Sequence, residues 1–307
     1  MSRVVLTGAT GLIGRHLAAA LAARGDEPIL LSRRSQLVAG IPTLRWDPEI
    51  EPIPARAVAG ARAIVNLAGE PIGAGRWNSG QRRRIRESRE TTTRRCVDAL
   101  GGAGPRVLVS ASAVGYYGST EAPVDELSPP GDDFLATTCV RWEEIAKRGA
   151  DRARVVSVRT GIVLARDGGV LPRLVQVTRL GAAGPLGSGR QWMSWIHVDD
   201  HVAVLLAGID DDELSGPVNA VAPEPVRQRD FARVLARLEH RPSLLPTPAA
   251  VLRLVLGQMA DLVLLGQRVV PSVLAARGSL WRFPTLGPAL GDLVAEPTAA
   301  ELVRPSR

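Results

Sequence analysis

Residues 4–25 read VVLTGATGLIGRHLAAALAARG, which joins a short apolar run, a glycine-rich turn and an alanine-rich helical pattern. The run VVLT is typical of a buried strand, and the helical pattern ends at Gly25. Gly8 suits a tight turn, Gly11 lets backbone approach a ligand, and Gly14 allows the helix to pack closely on the strand. The stretch therefore predicts a phosphate cradle, in which free N–H groups and the positive end of a helix face an anion.

The alternation of strand and helix patterns continues through the first half of the chain. Strands are predicted at 28–32, 43–46, 63–68, 106–112, 154–164 and 217–221, with helices at 80–100 and 132–149 and a strand running into a helix at 191–208. This order predicts an α/β fold with a doubly wound parallel sheet.

The position of the glycines at the first strand–helix junction indicates a dinucleotide site rather than a turn without a ligand. Its expected contacts are Gly8, Thr10, Gly11, Leu12, Ile13 and Gly14. An NAD site usually has an acidic residue at the end of the second strand, yet none occurs between Glu27 and Asp47. Arg33 and Arg34 stand there instead, and guanidinium groups suit a 2′-phosphate. The pattern favours NADP(H); the alternative is two solvated arginines in an arginine-rich chain.

The composition of the sequence changes after the predicted strand that ends at residue 164. Residues 165–192 are rich in glycine and proline, which suggests an insert on the substrate side. From about residue 226 the chain is helical and punctuated by prolines. We therefore expect a Rossmann domain over 1–225, a small, mainly helical C-terminal domain over 226–299 and a tail over 300–307.

Charge and composition argue against several classes of protein. The net charge of +7 is carried almost wholly by arginine, since Lys147 is the only lysine. The arginine-rich segment 81–95 is interleaved with Glu87 and Glu90, which predicts a solvated helix face rather than a nucleic-acid surface. The apolar segment 249–267 is interrupted by charges and predicts packed helices, not a membrane span.

The cysteines and histidines also limit the possibilities. Two cysteines far apart indicate neither a disulfide framework nor a cysteine zinc site, and the four scattered histidines predict no metal centre. The N-terminus runs directly into the first strand without the apolar core of a signal peptide. We expect a cytoplasmic protein with a small-molecule substrate and without nucleic-acid or membrane partners; the oligomeric state is left open.

Several longer motifs point to a known family. They are VNLAGEPI (65–72), IRESR (85–89), SAVGYYG (112–118), SGRQWMSWIHVDD (188–200) and GQRVVP…WRFPTLGPAL (266–290). The chain resembles the extended short-chain dehydrogenase/reductase superfamily, and within it the sugar-nucleotide-epimerase-like subfamily, which has a small C-terminal domain. The resemblance implies a Rossmann fold, NADP(H) binding and epimerase or oxidoreductase chemistry, but no substrate. It also implies cofactor contacts at Asn66, Leu67, Ala68, Gly69, Thr160 and Gly161, with Trp46 and Asp47 near the adenine.

The usual catalytic pair of the superfamily, a tyrosine with a lysine four residues later, is absent. Neither Tyr116 nor Tyr117, the only two tyrosines, has a lysine at that spacing, and Lys147 follows Glu143 by four residues. In the resemblance, Glu143 matches the acidic residue that often follows the pair. The tyrosine position then falls at Leu135.

Three residues are therefore candidates for the chemistry. Ser112 matches the superfamily's substrate serine at the end of a central strand, where open α/β sheets bind ligands. Tyr116 or Tyr117 could donate a proton if a neighbouring arginine lowers its pKa; alternatively the rings pack or line the pocket.

Other reactive groups have weaker claims. Cys139, at the lysine position, offers a thiol or a buried inert side chain, and His197 an acid or base. Asp199 and Asp200 are expected to cap the following helix. Glu70 and Arg89 belong to the family motifs; each either reaches the site or forms a surface salt bridge. The tryptophans Trp77, Trp142, Trp192 and Trp195 are expected in the core or the pocket wall.

Two functions remain open from the sequence. The first is an NADP(H)-dependent oxidoreductase or epimerase-like enzyme that acts on a carbonyl or alcohol carbon without the usual pair. The alternative is an NADP(H)-binding sensor or scaffold with little turnover, which the missing pair motivates.

Overall fold

A large, almost entirely parallel sheet forms the centre of the computed structural model, which describes residues 2–181, 183–243, 246–279 and 281–295. Its strands and those of three smaller sheets are β1 (Arg3–Thr7), β2 (Glu27–Ser32), β3 (Leu37–Val38), β4 (Ile41–Arg45), β5 (Ala61–Asn66), β6 (Val107–Ala113), β7 (Thr120–Val124), β8 (Arg154–Thr160), β9 (Ile162–Ala165), β10 (Gly168–Gly169), β11 (Trp192–Met193), β12 (Trp195–His197), β13 (Gly216–Ala220), β14 (Val226–Arg227) and β15 (Gln267–Val269).

Helices cover both faces of this sheet, and shorter ones follow at the C-terminal end. They are α1 (Leu12–Ala23), α2 (Ala55–Val58), α3 (Ser79–Asp98), α4 (Phe134–Lys147), α5 (Leu171–Arg179), α6 (Val198–Asp210), α7 (Gln228–Leu238), α8 (Ala249–Leu256), α9 (Asp261–Leu264), α10 (Ser272–Ala276) and α11 (Leu286–Val294), with 3₁₀ turns at Val114–Tyr117 and Gly257–Ala260.

The strand order of the large sheet is β13-β8-β6-β5-β1-β2-β4-β3. Every neighbouring pair is parallel except β3 with β4. From β1 the chain builds the sheet first in one direction and then in the other, which leaves a crevice at the carboxyl ends of β1 and β5. The predicted doubly wound α/β fold is confirmed.

Alternate residues of the central strands supply two separate cores. Val4 and Leu6 face α1 and α6, where they pack with Leu17 and Leu205. The intervening Val5 packs on the opposite face with residues of α3 and α4. Because strand side chains alternate between faces, a run of consecutive apolar residues is what a strand buried on both sides requires.

The predicted single strand at 154–164 is wrong in one respect, since the chain divides at Gly161 into β8 and β9. A Cβ atom at Gly161 would lie 2.5 Å from the carbonyl oxygen of Ser194. Its N–H donates to Ala220 at the end of β13. The chain therefore leaves the large sheet at this point, and β9 pairs with β10 and β12 instead.

The C-terminal third contributes helices and returning strands. Helices α7 and α11 pack with Trp195 in a third core, and β15 pairs with β7 far back in the sequence. The helices predicted in 249–267 are α8, a 3₁₀ turn and α9, but neither α8 nor α9 contains a buried residue, so the expectation that they are packed is wrong. In the described part of the chain no helix has the length and apolarity to cross a membrane. The boundary near residue 226 stays a prediction; the tail over 300–307 and residues 296–299 lie outside the described residues.

Candidate functional site

The glycine turn between β1 and α1 has no space for side chains on its inner side. Gly8 has a φ of +68°, and a Cβ atom there would lie 2.6 Å from the carbonyl carbon of Leu67 and 2.7 Å from the amide nitrogen of Ala68. A Cβ atom at Gly14 would lie 2.4 Å from the Gly8 carbonyl oxygen. These short distances explain why glycine is needed at both positions. They also show that the chain directly after β5 lies against the turn.

The outer side of the same turn is open. Thr10 and Gly11 are exposed, and Gly11 caps α1 without any side-chain hydrogen bond to the first-turn N–H groups. Leu12 packs against the glycines of β10, where a Cβ atom at Gly168 would lie 3.1 Å from it; Ile13 is half-buried. A helix of 12 residues with a free, exposed N-terminus fits a pyrophosphate.

The two arginines that follow β2 are exposed at the edge of this turn. The backbone beyond the strand is fixed by Thr43, which donates to the Arg34 carbonyl and accepts from the Gln36 N–H, each at 3.0 Å. In the described part of the chain, neither the Arg33 nor the Arg34 guanidinium has a hydrogen-bond or ion-pair partner. Both are therefore available to an anionic ligand.

The end of β5 is bound to its neighbours by a buried polar chain. Thr7 donates to Asn66 Oδ1 at 2.7 Å, and Asn66 Nδ2 donates to Thr93 at 3.0 Å. The side chain of Asn66 thus ties β1, β5 and α3 together. Beyond it, Gly69 is exposed and lies against the half-buried Arg89, which donates to the Glu70 carbonyl.

Trp46 and Asp47, which were expected near the adenine, lie at the end of β4. Trp46 is buried, and its indole N–H donates to the carbonyls of Glu51 and Pro52. Asp47 Oδ1 accepts the backbone N–H of Glu49. Trp46 consequently belongs to the core beside the predicted adenine position.

Ser112 is buried at the end of β6 and is tied to an ion pair between the buried Arg159 and the half-buried Glu143. Its hydroxyl donates to Glu143 Oε1 at 2.6 Å. Arg159, the neighbour of Ser112 in β8, donates from Nε to Oε1 at 2.9 Å and from Nη2 to Oε2 at 2.8 Å. The side chains of Arg159 and Glu143 are only 3% and 14% exposed. Hydrogen bonds from both nitrogens to one carboxylate hold the pair rigidly.

Both tyrosines surround the Arg159 guanidinium. Nη1 donates to the Tyr117 hydroxyl at 2.8 Å, and that hydroxyl donates to Asn219 Oδ1 at 2.7 Å. The Tyr116 ring lies 3.5 Å from the guanidinium carbon and lines, with Glu143, a cleft of about 590 Å³ beside α4. Tyr117 can release a proton only if the bond to Asn219 breaks.

The expectation that a neighbouring arginine lowers a tyrosine pKa is reversed at Tyr117. Burial raises the pKa of Tyr117 to about 12, although Arg159 opposes the shift. A raised pKa in the folded state stabilises the fold below the unfolded value near 10, and this stability is lost as the pH rises towards 12. Ultraviolet titration of native protein should show a phenolate step near pH 12 that is absent from Tyr117→Phe. A single step near pH 10 for both tyrosines in native protein would contradict the burial.

Leu135 and Cys139 occupy the positions of the usual catalytic pair. Leu135 packs against Gly115, where a Cβ atom would lie 3.3 Å away. Cys139 is buried beside Ser112 and Ala113, and burial together with the charge of Glu143 raises the pKa of its thiol to about 12. A thiol in this state is a poor nucleophile at neutral pH.

His197 acts at a helix end rather than in the crevice. The N-cap of α6 is His197, whose Nδ1 accepts the Asp199 N–H, so the expectation that Asp199 and Asp200 cap this helix is wrong. Asp200 instead accepts the N–H groups of Arg282 and Phe283 at 2.8 and 3.0 Å. Burial lowers the pKa of His197, and its ring stacks on Phe283.

Thr160 meets a second buried histidine at the end of β8. The Thr160 hydroxyl lies 3.0 Å from His201 Nε2, and burial lowers the pKa of His201 to about 4. The backbone of Gly161 is fixed by Ser194 and Ala220, as described above. Among the described residues no cluster of histidine, cysteine, aspartate or glutamate has a geometry suited to a metal ion.

The sequence reading missed the central member of the site. Arg159 interrupts the apolar run VVSVRTGIVL, and a charge inside a buried strand requires a partner. That signal was present, but the identity of the partner depends on the packing of α4 on β8. Asn219 and Glu126 complete the surroundings, since Glu126 Oε1 accepts the Asn219 N–H at 2.9 Å.

Comparison with known proteins identifies the family of the chain. Residues 4–220 match the family described as NAD dependent epimerase/dehydratase, and residues 247–293 match a domain of unknown function, DUF1731. The Mycobacterium bovis epimerase family protein Mb2239 is 40% identical over 298 residues, which are 96% of this chain and 98% of that protein.

Solved structures show the same fold. The human epimerase family protein SDR39U1, crystallised with NADPH, superposes with a TM-score of 0.87 and 35% identity over 95% of this chain and 98% of that one. MoeE5 in complex with UDP-glucose and NAD reaches a TM-score of 0.77 at 22% identity, over 94% and 96% of the two chains, which shows the fold alone. The protein therefore belongs to the NAD dependent epimerase/dehydratase family of extended short-chain dehydrogenases/reductases, with a C-terminal DUF1731 domain.

Proposed function

We propose that the protein is an NADP(H)-dependent oxidoreductase or epimerase-like enzyme that acts on a carbonyl or alcohol carbon of a small molecule. The observation that carries this proposal is Ser112, held by a buried ion pair at the carboxyl end of β6, on the edge of the sheet that bears the glycine cradle. The nicotinamide, when bound, supplies or accepts a hydride. Ser112 orients the reacting oxygen.

The cradle and the arginines support the choice of cofactor. The exposed N-terminus of α1 would hold the pyrophosphate, and Arg33 with Arg34 would hold the 2′-phosphate that distinguishes NADP(H) from NAD. The human relative was crystallised with NADPH, whereas MoeE5 was crystallised with NAD. Both arginines are exposed and without a partner in the described structure, which suits a phosphate.

Replacement of Arg33 by alanine should weaken NADPH binding about tenfold or more, because one charge-assisted hydrogen bond to phosphate is lost. NADH has no 2′-phosphate, so its affinity should not change. Fluorescence titration of both nucleotides measures the effect. Arg83→Ala removes an exposed charge from α3 and serves as the charge-matched control. Equal losses in the two variants, or tighter binding of NADH than of NADPH by the unaltered protein, would refute the assignment.

The alternative function is an NADP(H) sensor or scaffold with little turnover. It is favoured by Leu135 and Cys139 at the positions of the usual pair, and by the closed hydrogen bonding of Tyr117. A metabolite screen that follows NADPH absorbance separates the two. Turnover that Ser112→Ala abolishes supports the enzyme; tight NADPH binding without turnover of any carbonyl or alcohol class supports the sensor.

The remaining expectations belong to the same proposal. We propose a cytoplasmic protein with a small-molecule substrate, which the free, buried cysteines Cys96 and Cys139 support because they fit a reducing compartment. The arginines of α3 alternate with Glu87 and Glu90, which supports a solvated face rather than a nucleic-acid surface.

A further inference from the structure

The hydroxyl of Ser112 has one hydrogen, and a hydrogen bond within the protein already uses it. A serine hydroxyl can donate once and accept twice. The 2.6 Å bond to Glu143 Oε1 uses the donor, because a carboxylate can only accept. What Ser112 can offer to a ligand is therefore lone pairs.

Glu143 has little freedom to turn away from Ser112. Both of its oxygens accept from Arg159, at 2.9 and 2.8 Å. Arg159 is fixed in turn by the Tyr117 hydroxyl at 2.8 Å and by the Tyr116 ring 3.5 Å from its guanidinium carbon. Reversing the Ser112 hydroxyl would give up a charge-assisted hydrogen bond, which is stronger than a hydrogen bond between neutral groups.

The residues beside Ser112 do not offer a ligand another hydrogen-bond donor in place of the Ser112 hydroxyl, which donates to Glu143. Cys139 is buried beside it, and a thiol is a weak donor. Leu135, at the position of the usual tyrosine, offers no polar atom. In the described structure the strong donors of this cluster, Arg159 and Tyr117, are directed at Glu143 and Asn219.

We propose that the Glu143–Arg159 ion pair fixes Ser112 as a hydrogen-bond acceptor, so that the substrate presents a donor to it. The group beside Ser112 is then the hydroxyl of an alcohol rather than the oxygen of a ketone or aldehyde. Glu143 acts through Ser112 and is a positioning residue. This inference rests on the proposed function and names the form of the substrate that binds best.

The test compares matched probes on the full chain loaded with NADPH. Cyclohexanol, cyclohexanone and methoxycyclohexane share one ring and differ in whether the oxygen carries a hydrogen. Competition measured by ligand-observed NMR should show the alcohol binding about tenfold more tightly than the ketone and the ether, as one well-formed hydrogen bond provides. Ser112→Ala should reduce the ratio to about one.

Glu143→Gln isolates the positioning role. The neutral amide has one acceptor oxygen where the carboxylate has two, so it holds the serine hydrogen less firmly, and the preference should move towards the ketone while NADPH affinity is unchanged. Glu144→Gln changes the neighbouring exposed carboxylate, which pairs with Arg141 and not with Ser112, and should keep the wild-type ratio. A merely structural role of Glu143 would alter stability without altering the ratio.

Neutron diffraction gives a readout that does not depend on any probe. The deuteron of Ser112 should lie between its oxygen and Glu143 Oε1. A deuteron directed elsewhere, equal binding of the three probes, or binding of none of them by NADPH-loaded protein overturns the inference and leaves the proposed function standing. Failure of the unaltered protein to bind NADPH overturns the proposed function instead.

Discussion

Replacement of Arg159 by methionine is expected to lower the free energy of unfolding by about 3–5 kcal/mol, as removal of one partner from a buried ion pair does. The guanidinium neutralises Glu143, donates to the Tyr117 hydroxyl and lies against the Tyr116 ring. Methionine has similar length but restores none of these contacts. Glu143, whose side chain is only 14% exposed, would retain Ser112 as its hydrogen-bond donor and lose both bonds from Arg159. Urea titration followed by circular dichroism measures the loss.

Two further variants separate the burial of the charge from the loss of volume. Arg141→Met removes an arginine from the exposed pair with Glu144 on the same helix, and should change stability by less than about 1 kcal/mol. The double variant Glu143→Gln/Arg159→Met removes both charges and should recover part of the loss, because no buried charge is left alone. If the double variant were as unstable as the sum of the two single ones, the ion pair would not be the cause.

Gly8→Ala should weaken NADPH binding at least about 100-fold, since displacement of the turn removes about two hydrogen bonds to the pyrophosphate. The new Cβ atom would lie 2.6–2.7 Å from backbone atoms of Leu67 and Ala68, which cannot move aside as a flexible side chain can. The turn must therefore shift away from β5 and carry the N-terminus of α1 with it.

Gly25→Ala is the matched control for this change. Gly25 also has a positive φ, +84°, and lies at the other end of α1, but nothing stands within 4 Å of the position of its Cβ atom. It carries the same backbone cost, about 1–2 kcal/mol, without the collision. NADPH affinity should be unchanged in Gly25→Ala. Similar affinities of the two alanine variants would show that the close approach of Leu67 to Gly8 does not shape the cradle.

Local patterns predicted most of the fold. A few consecutive residues suffice to predict the first turn and the strands β1, β5 and β6. A strand buried on both faces requires a run of apolar residues, and a close helix–strand turn requires glycines. The division at Gly161 could not be predicted in this way because Ser194, whose carbonyl lies against Gly161, is remote in sequence. The pairing of β7 with β15 could not be predicted for the same reason.

In the candidate site, too, the local features could be predicted and those that depend on distant residues could not. Ser112 was proposed from its match to the superfamily's serine, and the cradle was predicted from a local glycine motif. Arg159 was not singled out, although an arginine within an apolar strand is a visible signal, because only the packing of α4 on β8 brings it Glu143. The expectation that a tyrosine lies beside an arginine was correct, but the expected decrease of the tyrosine pKa was not. Burial of the Tyr117 ring outweighed the charge, and burial depends on the whole fold.

The wide sequence separation of the partners around Arg159 sets an order on biosynthesis. The glycine cradle needs only β1, α1 and the end of β5, all within the first 70 residues. The Tyr117 hydroxyl waits for Asn219, whose amide in turn donates to the Val270 carbonyl. The ribosome therefore makes Val270, the last residue of this hydrogen-bonded chain, about 200 residues after the last residue of the glycine cradle.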